Sequence, residues 1–313
     1  MRAFLSLPAA SRVALVTCAL ALVSAQSARA QDFGTPGIPP QHTQRQTLAE
    51  PVAPKLLWAP PRATDKLSDM SATPACHLDT LLEKAGERAA ALLEHLENFD
   101  AHERVRFERI DNHGSSVIYM SGRFDYQADF GDAASPLELH ETRTAIGRAN
   151  DASLEGEVDQ GLAGMALVFH SALRSDFEMK CEGYVLRRGR GAFVVSFAQA
   201  AGGESHAISL VTPSGRVAVP VRGRAWITER TGEVMHLETY LARPMPDLGV
   251  RTDATVIDYA PVKFQSKRVT LWLPHSAAVY ANTGKYKTII EHNFSDFQIF
   301  SVESRETISP PKP

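Results

Sequence analysis

The chain has 313 residues, 44% of them hydrophobic, with 33 Lys and Arg against 36 Asp and Glu. This length and hydrophobic content suffice for one large or two small globular domains with a proper core, and we favour one. A mildly acidic chain does not attract nucleic acid or anionic lipid head groups through its bulk charge, so neither class of partner is predicted.

Residues 1–30 have the pattern of a secretory signal peptide. Arg2 and Arg12 precede the apolar run Val13–Val23, and Ala28-Arg29-Ala30 places small residues where a signal peptidase cleaves. The run is about half of the roughly 20 residues that cross a bilayer, and no later stretch is longer. We predict cleavage near Ala30 and export to the periplasm or the extracellular space, with no transmembrane segment in the mature chain. Loss of three arginines leaves 30 basic against 36 acidic side chains, a net charge of about −6.

Residues 31–75 are rich in proline and show neither a helical nor a strand period. Such a segment buries too little apolar surface to offset its ordering entropy, so we predict a disordered spacer, with a docking segment for a partner as the alternative. A single folded domain is predicted over residues 76–308, followed by a flexible tail at 309–313.

Two cysteines, Cys76 and Cys181, remain after removal of the signal peptide. In an oxidising compartment they most simply form one disulfide, with two unrelated buried thiols as the alternative. Lipidation at Cys18 is less favoured, because Thr17 is larger than the residue expected before a lipidated cysteine.

An amphipathic helix is predicted from about Leu78 to Asn98. Its apolar residues recur at three- and four-residue steps, at Leu78, Leu81, Leu82, Ala85, Ala89, Leu92, Leu93 and Leu96. A second, short helix is predicted over Leu162–Leu173, where small residues and Met dominate.

Strand patterns with a period near two begin after Phe99 and are separated by marked turns. They are Val105–Ile110, Ser116–Met120, Arg123–Phe130, Leu137–Thr144, Asp176–Leu186, Ala192–Gln199, His206–Val211, Val217–Val221, Arg224–Glu229, Glu233–Arg243, Val250–Tyr259, Arg268–Leu273, Tyr286–Phe294 and Phe297–Ser301. The alternation gives one apolar and one polar face. We therefore predict a mainly β (α+β) fold, a strongly curved antiparallel sheet or half-open β-barrel with two covering helices.

The segment from Gly223 to Phe300 resembles the periplasmic lipoprotein carriers, the Lol-type outer-membrane lipoprotein-sorting proteins, and also uncharacterised exported bacterial proteins. The resemblance lies in Gly223–Ile227, Thr231–Glu233, His236–Glu238, Ile257–Tyr259 with Val262, Leu273-Pro274 and Phe294–Phe297. It implies a half-open barrel whose helices form a lid over an apolar cavity for acyl chains. The chain departs from the pattern in its Pro-rich spacer and around Gly202–Pro220.

Motifs for metal binding and for catalysis are weak in this chain. No two of the eleven histidines are separated by two to four residues, and no Gly-x-Ser-x-Gly turn is present, so neither a metal nor a cofactor is predicted. His236 and Glu238 share a strand face and could pair, but parity places that face on the outside. The basic turn with Arg187, Arg188 and Arg190 is a candidate anion site, although most such turns are only soluble hairpin tips.

We predict a non-enzymatic protein that binds a lipid, an acyl chain or another apolar small molecule, and that carries lipid or lipoprotein. The candidate cavity wall consists of Met235, Leu237, Leu241, Leu271, Leu273 and Ile290, and the candidate lid side of Leu92, Leu93 and Leu96. The alternative is an envelope scaffold with a filled core that binds an envelope protein or lipoprotein partner, and an exported hydrolase remains a residual hypothesis.

Overall fold

The computed structural model describes residues 56–62, 65–67, 70–96, 99–130, 139–147, 161–200, 209–212, 215–265 and 267–299. The predicted signal peptide, residues 31–55 of the predicted spacer and the predicted tail lie outside these ranges. All described residues belong to one compact unit, Ala53–Pro313.

Strands dominate the described part of the chain. They are β1 (Phe99–Ile110), β2 (Ser116–Phe130), β3 (Leu139–Ala145), β4 (Phe177–Arg187), β5 (Arg190–Gln199), β6 (Ser209–Thr212), β7 (Gly215–Ala218), β8 (Val221–Thr228), β9 (Val234–Leu241), β10 (Thr252–Phe264), β11 (Val269–Asn282) and β12 (Lys287–Ile299). Ten of them form one sheet in the order β3-β2-β1-β12-β11-β10-β9-β8-β5-β4, and β6 and β7 form a separate hairpin. All neighbouring strands are antiparallel. The sheet is not closed, which confirms the predicted curved sheet or half-open barrel.

The strand bounds differ from the prediction at residues that were expected to interrupt a strand. Ser116–Met120 and Arg123–Phe130 are one strand, β2, because Gly122 stays in the ladder opposite Val105. The last two predicted strands are likewise one strand, β12, in which Asp296 takes a positive φ of 54° beside a register shift. By contrast, the predicted Val217–Val221 is divided between β7 and β8, at a proline that cannot donate to a ladder.

The two predicted helical segments lie against one face of the sheet, which we call the inner face. They are α1 (Leu78–Leu96), then the 3-10 helix η1 (Met165–Phe169) with the one-turn helix α2 (Ser171–Arg174). We call these three elements the lid. Gly86 allows α1 to cross η1 closely, since a Cβ there would lie 3.2 Å from the carbonyl oxygen of Phe169. No helix in the described residues is long and apolar enough to span a membrane.

The opposite, outer face carries a cover that the sequence did not predict. Part of the expected spacer, residues 56–62, 65–67 and 70–75, runs across this face, and we call it the strap. Leu56 packs on Ile110 and Ile289, Trp58 stands edge-on to Tyr280, and Leu67 packs against a cluster around Trp226. The strap is then paired with edge strand β4 through Ser71 and Tyr184. A few apolar side chains and backbone hydrogen bonds thus suffice to dock a proline-rich segment.

The two covers explain why the middle strands do not show a wet face. Burial does not alternate along β9, in which Val234, Met235, His236 and Leu237 are all buried. Leu237 lies on the inner face, in the main core under the lid. Met235 and His236 lie on the outer face, near Trp226 and the strap. The predicted polar outer face is therefore restricted to strands that the strap does not cover.

Cys76 and Cys181 form the predicted disulfide, with Cα atoms 6.6 Å apart and 105 residues of separation. The bond lies where the strap ends and α1 begins, and it fixes that point to edge strand β4. It therefore anchors the junction of the two covers to the edge of the sheet.

Removal of this cross-link should destabilise the fold strongly. Closing a loop of this length is worth about 4.7 kcal/mol in the chain-entropy model, and native disulfides usually contribute about 2–5 kcal/mol. We expect the double variant Cys76→Ser/Cys181→Ser to lose a free energy of unfolding in that range, measured by urea denaturation. Reductant should destabilise the wild type and leave the double variant unchanged; equal stability of the two proteins without reductant would contradict this role.

Candidate functional site

The candidate site is the inner face of the sheet together with the lid. Strand residues of the inner face and lid residues form one continuous apolar cluster, so that no polar layer separates the lid from the sheet. The lid contributes Leu81, Leu82, Ala85, Leu92, Met165, Ala166, Val168 and Phe169 to that cluster. Burying each such leucine is worth about 1.5–3 kcal/mol, which makes this contact the main force that holds the lid.

Most of the predicted wall residues lie together in this cluster. Leu237, Leu271, Leu273 and Ile290 are buried in it, and Leu241 is partly buried against it. Met235 lies on the other side of β9, in the outer cluster with Val185, Ala192, Val194 and Trp226. A bulge causes this difference, because β8 and β9 shift register between Trp226 and Ile227 and leave Met235 as the extra residue.

The predicted lid residues divide between two contacts. Leu92 belongs to the main cluster under the lid, whereas Leu93 packs within the lid, against Ala89, Leu167 and Leu173. The side chain of Leu96 lies outside the described part of the structure. Helix α1 therefore uses one side for the sheet and a neighbouring side for the rest of the lid.

Polar contacts hold the middle of α1 to the turn between β8 and β9, and we call this contact the latch. Arg88 Nε donates to the carbonyl oxygen of Thr231 at 2.9 Å and lies 3.2 Å from a carboxylate oxygen of Glu233. Lys84 Nζ donates to the carbonyl oxygen of Glu229 at 3.4 Å. The helix can approach this closely because Gly232 has a φ of 73° and no side chain: a Cβ there would lie 2.5 Å from that of Lys84.

A network of charged side chains is buried on the inner face near β3. Arg143 donates to both carboxylate oxygens of Glu103, at 2.6 and 3.3 Å, and to Glu141 at 3.4 Å. Glu141 also accepts from the Tyr126 hydroxyl at 2.7 Å and from the backbone N–H of Gly161 at 2.9 Å. The network thus ties β1, β2 and β3 to the segment that leads into the lid.

His292 of β12 completes this network. Its Nδ1 lies 2.7 Å from Oε1 of Glu103, and its ring stacks on Phe294. The side chains of His292 and Glu103 are both 0% exposed. The other imidazole nitrogen, Nε2, is buried and has no hydrogen-bond partner in the described structure.

The charges of this network stabilise one another. Burial alone raises the pKa of Glu103, but the hydrogen bond with His292 and the charge and hydrogen bonds of Arg143 outweigh it, so this pKa lies below its ordinary value. Burial lowers the pKa of Arg143, yet its two glutamate partners raise it above the ordinary value. Burial and the neighbouring Glu141 raise the pKa of Tyr126 well above its usual range. At neutral pH the pair Glu103 and Arg143 is therefore ionised.

Sequence reasoning did not find this network. Glu103, Glu141, Arg143 and His292 occupy inward positions of strands whose other inward residues are apolar, and that polar interruption was the available signal. Their spacing in sequence reveals nothing, because Glu103 and His292 are 189 positions apart and meet across the β1–β12 pair.

The predicted pair of His236 and Glu238 does form on the outer face. His236 Nε2 lies 3.3 Å from Glu238 and Nδ1 lies 2.8 Å from Asp258, and the ring is edge-on to Trp226. Burial raises the pKa of Asp258, but the hydrogen bond and charge of His236, the hydrogen bond from Arg187 and the charge of Arg188 hold it far below its usual value. Both imidazole nitrogens thus face carboxylates, which is an arrangement that holds strands together and leaves no nitrogen directed at a hydroxyl or thiol nucleophile.

The candidate anion site at the β4–β5 hairpin is tied to this outer cluster. Arg187 and Arg188 lie 3.1 and 3.2 Å from the same oxygen of Asp258. Arg187 also stacks on Trp226, and Arg190 stacks on Trp272. The three arginines are therefore engaged within the protein, and what else they bind stays a prediction.

A cleft of about 360 Å³ lies on the outer side of β4, β5, β8 and β9. Its lining includes Lys180, Glu182, Arg222, Arg224 and Tyr240, so that it is charged rather than apolar. Among the described residues, no group of three His, Cys, Asp or Glu side chains could hold a metal ion.

Comparison with known proteins gives remote likenesses of fold. No family model matches the chain, and no curated protein matches it. An outer membrane lipoprotein-sorting protein domain from Vibrio parahaemolyticus is 11% identical, with a TM-score of 0.38 over 72% of this chain and 94% of that one. A DUF1329 family protein from Desulfovibrio piger is 9% identical, with a TM-score of 0.42 over 72% of this chain and 95% of that one.

A LolA superfamily protein from Nitrosomonas europaea is also 9% identical, with a TM-score of 0.34 over 73% of this chain and 96% of that one. The class of protein that residues 223–300 resemble is thus among the solved structures to which this chain is similar. Likenesses at this level carry no argument about function.

Glu233 should make the stability of the latch depend on pH. Burial raises the pKa of Glu233 to about 7, although Arg88 opposes the shift. A raised pKa means that the folded state favours the protonated carboxyl. The stability that this protonation contributes is complete below about pH 4.5, the ordinary pKa, and is lost as the pH rises through about 7. Between about pH 5 and pH 8 the free energy of unfolding of the wild type should fall. That of Glu233→Gln should fall less, because glutamine does not ionise; urea denaturation at several pH values measures both. Parallel pH profiles of the two proteins would refute this.

Arg143→Met should be strongly destabilising, since it leaves Glu103 buried and unpaired. Breaking a buried ion pair from one side typically costs about 3–5 kcal/mol. The double variant Glu103→Leu/Arg143→Met should lose less than Arg143→Met alone, because it removes the Glu103 carboxylate that the single variant leaves without its guanidinium, while Glu141 loses Arg143 in both variants. Chemical denaturation of the three proteins measures both effects, and a double variant less stable than the single one would exclude this explanation.

Proposed function

We propose that this protein is an exported, non-enzymatic binding protein that holds an acyl chain or similar apolar group between the inner face and the lid, and that it carries a lipid or lipoprotein. The observation that supports the proposal most is the direct apolar contact of the lid with the inner face of an open sheet. A ligand that enters there replaces one apolar contact by another and leaves the ladder of the sheet intact.

The magnitudes allow such an exchange. Burying a methylene group is worth about 0.8 kcal/mol, so a chain of about sixteen carbons offers roughly 13 kcal/mol before the costs of association. Lifting the lid exposes mainly Leu81, Leu82 and Leu92, at about 1.5–3 kcal/mol each, together with the apolar residues of η1. The gain and the cost are of similar size, which suits reversible binding better than permanent closure.

Export is supported by the disulfide and by the predicted signal peptide. A disulfide between Cys76 and Cys181 persists in an oxidising compartment such as the periplasm or the extracellular space. The resemblance of residues 223–300 to the lipoprotein-sorting proteins favours a lipid or lipoprotein cargo over other apolar molecules.

The second candidate is a scaffold protein with a permanently filled core. The same contact between lid and inner face also favours this candidate, because the lid leucines already cover the apolar surface that a ligand would need. Binding measurements separate the two candidates. Lipid that co-purifies with the gently isolated protein, detected by mass spectrometry of an organic extract, supports the carrier, and absence of both lipid and uptake of a fluorescent acyl probe supports the scaffold.

A weaker latch should speed the exchange of ligand. Arg88→Met removes the hydrogen bond to Thr231 and the contact with Glu233, which together are worth about 1 kcal/mol. We therefore expect uptake and release of an acyl probe to become about fivefold faster, measured by stopped-flow fluorescence. Glu87→Met, the same substitution at the preceding exposed position, is the matched control and should leave both rates unchanged. Equal rates for Arg88→Met and the wild type would argue against opening at this contact.

A further inference from the structure

Among the described residues of the inner face, two buried side-chain polar atoms have no hydrogen-bond partner, the Tyr259 hydroxyl and Nε2 of His292. Of the two, Nε2 of His292 belongs to the charged network. His292 is completely buried, its Nδ1 is held by Glu103, and its Nε2 has no partner in the described structure. Buried polar atoms without a partner are rare in folded proteins because each costs free energy, so this one requires an explanation. The imidazole lies on the apolar face that we propose as the binding surface, between Val105 of β1 and Ala277 of β11.

Charge counting shows what would satisfy the imidazole. Glu103 is ionised, and Glu141 accepts hydrogen bonds through both oxygens, as an ionised carboxylate does. Arg143 contributes the one fixed positive charge. With neutral His292 the network therefore has one buried negative charge in excess, and with protonated His292 it is balanced.

Protonation alone does not resolve the problem. Since Nδ1 of His292 already donates to Glu103, a protonated ring would have a second N–H, at Nε2, with no acceptor in the described structure. A neutral acceptor beside Nε2 would satisfy that N–H and keep the network balanced. An anionic acceptor would restore the excess negative charge, and a pure hydrocarbon would leave the N–H unpaired.

We propose that His292 Nε2 is the anchoring point for the neutral carbonyl group that links an acyl chain to its carrier, an ester or an amide, and that binding is coupled to uptake of one proton by the imidazole. This inference rests on the function proposed above, since the carbonyl reaches His292 only when an acyl chain lies on the inner face. The apolar surroundings fit such a ligand: Ala277 is the small cross-strand neighbour of His292, and Ile257 and Val279 continue the apolar surface beside it.

The groups that surround His292 set the direction of the pH dependence. From β1 it faces Glu103, and through that residue it is joined to Arg143 and Glu141 of β3 and to Tyr126 of β2. From β11 the described structure gives it apolar neighbours. With Nδ1 bound to Glu103, a hydrogen bond from Nε2 to the ligand requires a second proton on the ring. Binding should therefore be tighter at low pH, by up to about tenfold per pH unit for one linked proton.

Three ligands of equal chain length separate the possible sources of the carbonyl. They are 1-monooleoylglycerol, with an ester, oleoylethanolamide, with an amide, and oleate, with an anionic carboxylate. Each competes against N-phenyl-1-naphthylamine, a neutral fluorescent probe without a carbonyl, whose own binding reports the proposed function. Isothermal titration calorimetry of the wild type in two buffers of different ionisation enthalpy counts the protons taken up.

We expect uptake of about one proton with the ester or the amide, and tighter binding of that ligand than of oleate at about pH 7. Two variants test the residue itself. His292→Asn retains an N–H near the position of Nδ1, toward Glu103, and lacks the Nε2 donor; His292→Gln retains an N–H near the position of Nε2 but cannot be protonated. Both should lose the proton uptake, and His292→Asn should also lose the preference for the ester or amide over oleate.

The outcomes distinguish the two proposals. If the wild type binds the probe but takes up no proton with any carbonyl ligand, the role of His292 is overturned while the binding function stands, and this measurement needs no variant to fold. Unchanged proton uptake in a folded His292→Asn protein would overturn it as well. If the wild type binds neither probe nor ligand, the binding function falls and the inference falls with it.

Discussion

The apolar contact between the lid and the inner face is the constraint on which the rest of this structure depends. Among the described residues, helical segments and not a second large sheet cover the apolar side of the ten-stranded sheet, and its two edge strands, β3 and β4, do not pair with each other. Exposure of that face to water would cost far more than the few kcal/mol by which folded domains are stable. The helical segments therefore have to lie on it, and the proposed ligand would enter by taking over part of their contact.

One continuous stretch of chain supplies the covers of both faces. The strap crosses the outer face, pairs with edge strand β4 at Ser71, and passes through Cys76 into α1 on the inner face. The disulfide fixes the start of α1. At the other end of this helix only two residues separate it from β1. Because both ends of α1 are held, its displacement requires the latch in its middle to release, or η1 and α2 to move away beside it.

The period of the hydrophobic pattern was enough to predict the class of fold. Long strands such as β1 alternate clearly, since one side meets the core and the other meets solvent, and α1 repeats leucine at helical steps. The disulfide followed from the count of cysteines in an exported chain. Where the chain departs from regular alternation, prediction failed: the bulge that moves Met235 to the outer cluster depends on the register between β8 and β9, which one strand alone does not reveal.

The strap and the buried network were missed for related reasons. The prediction for residues 31–75 was made from their average composition. Docking at the outer face depends instead on a few side chains, Leu56, Trp58 and Leu67. The network depends on partners that meet only across strands: Glu103 of β1 contacts Arg143 of β3 and His292 of β12. A polar residue at an inward position was visible in each strand separately. Its partners were not, because strand order is a property of the whole sheet.

The position of the ion network gives a reason why the apolar inner face, which we propose binds the ligand, retains charge. A buried ion pair rarely stabilises a protein more than well-packed apolar residues of the same size, so stability alone does not account for Glu103 and Arg143. The network does join β1, β2, β3 and β12 to Gly161, at the start of the lid segment. Any movement of that segment therefore changes the hydrogen bonds of Glu141 and, through Arg143, the surroundings of His292. An apolar surface alone would bind chains of many kinds with little discrimination, whereas a fixed polar group within it can select for the chemistry at the end of the chain.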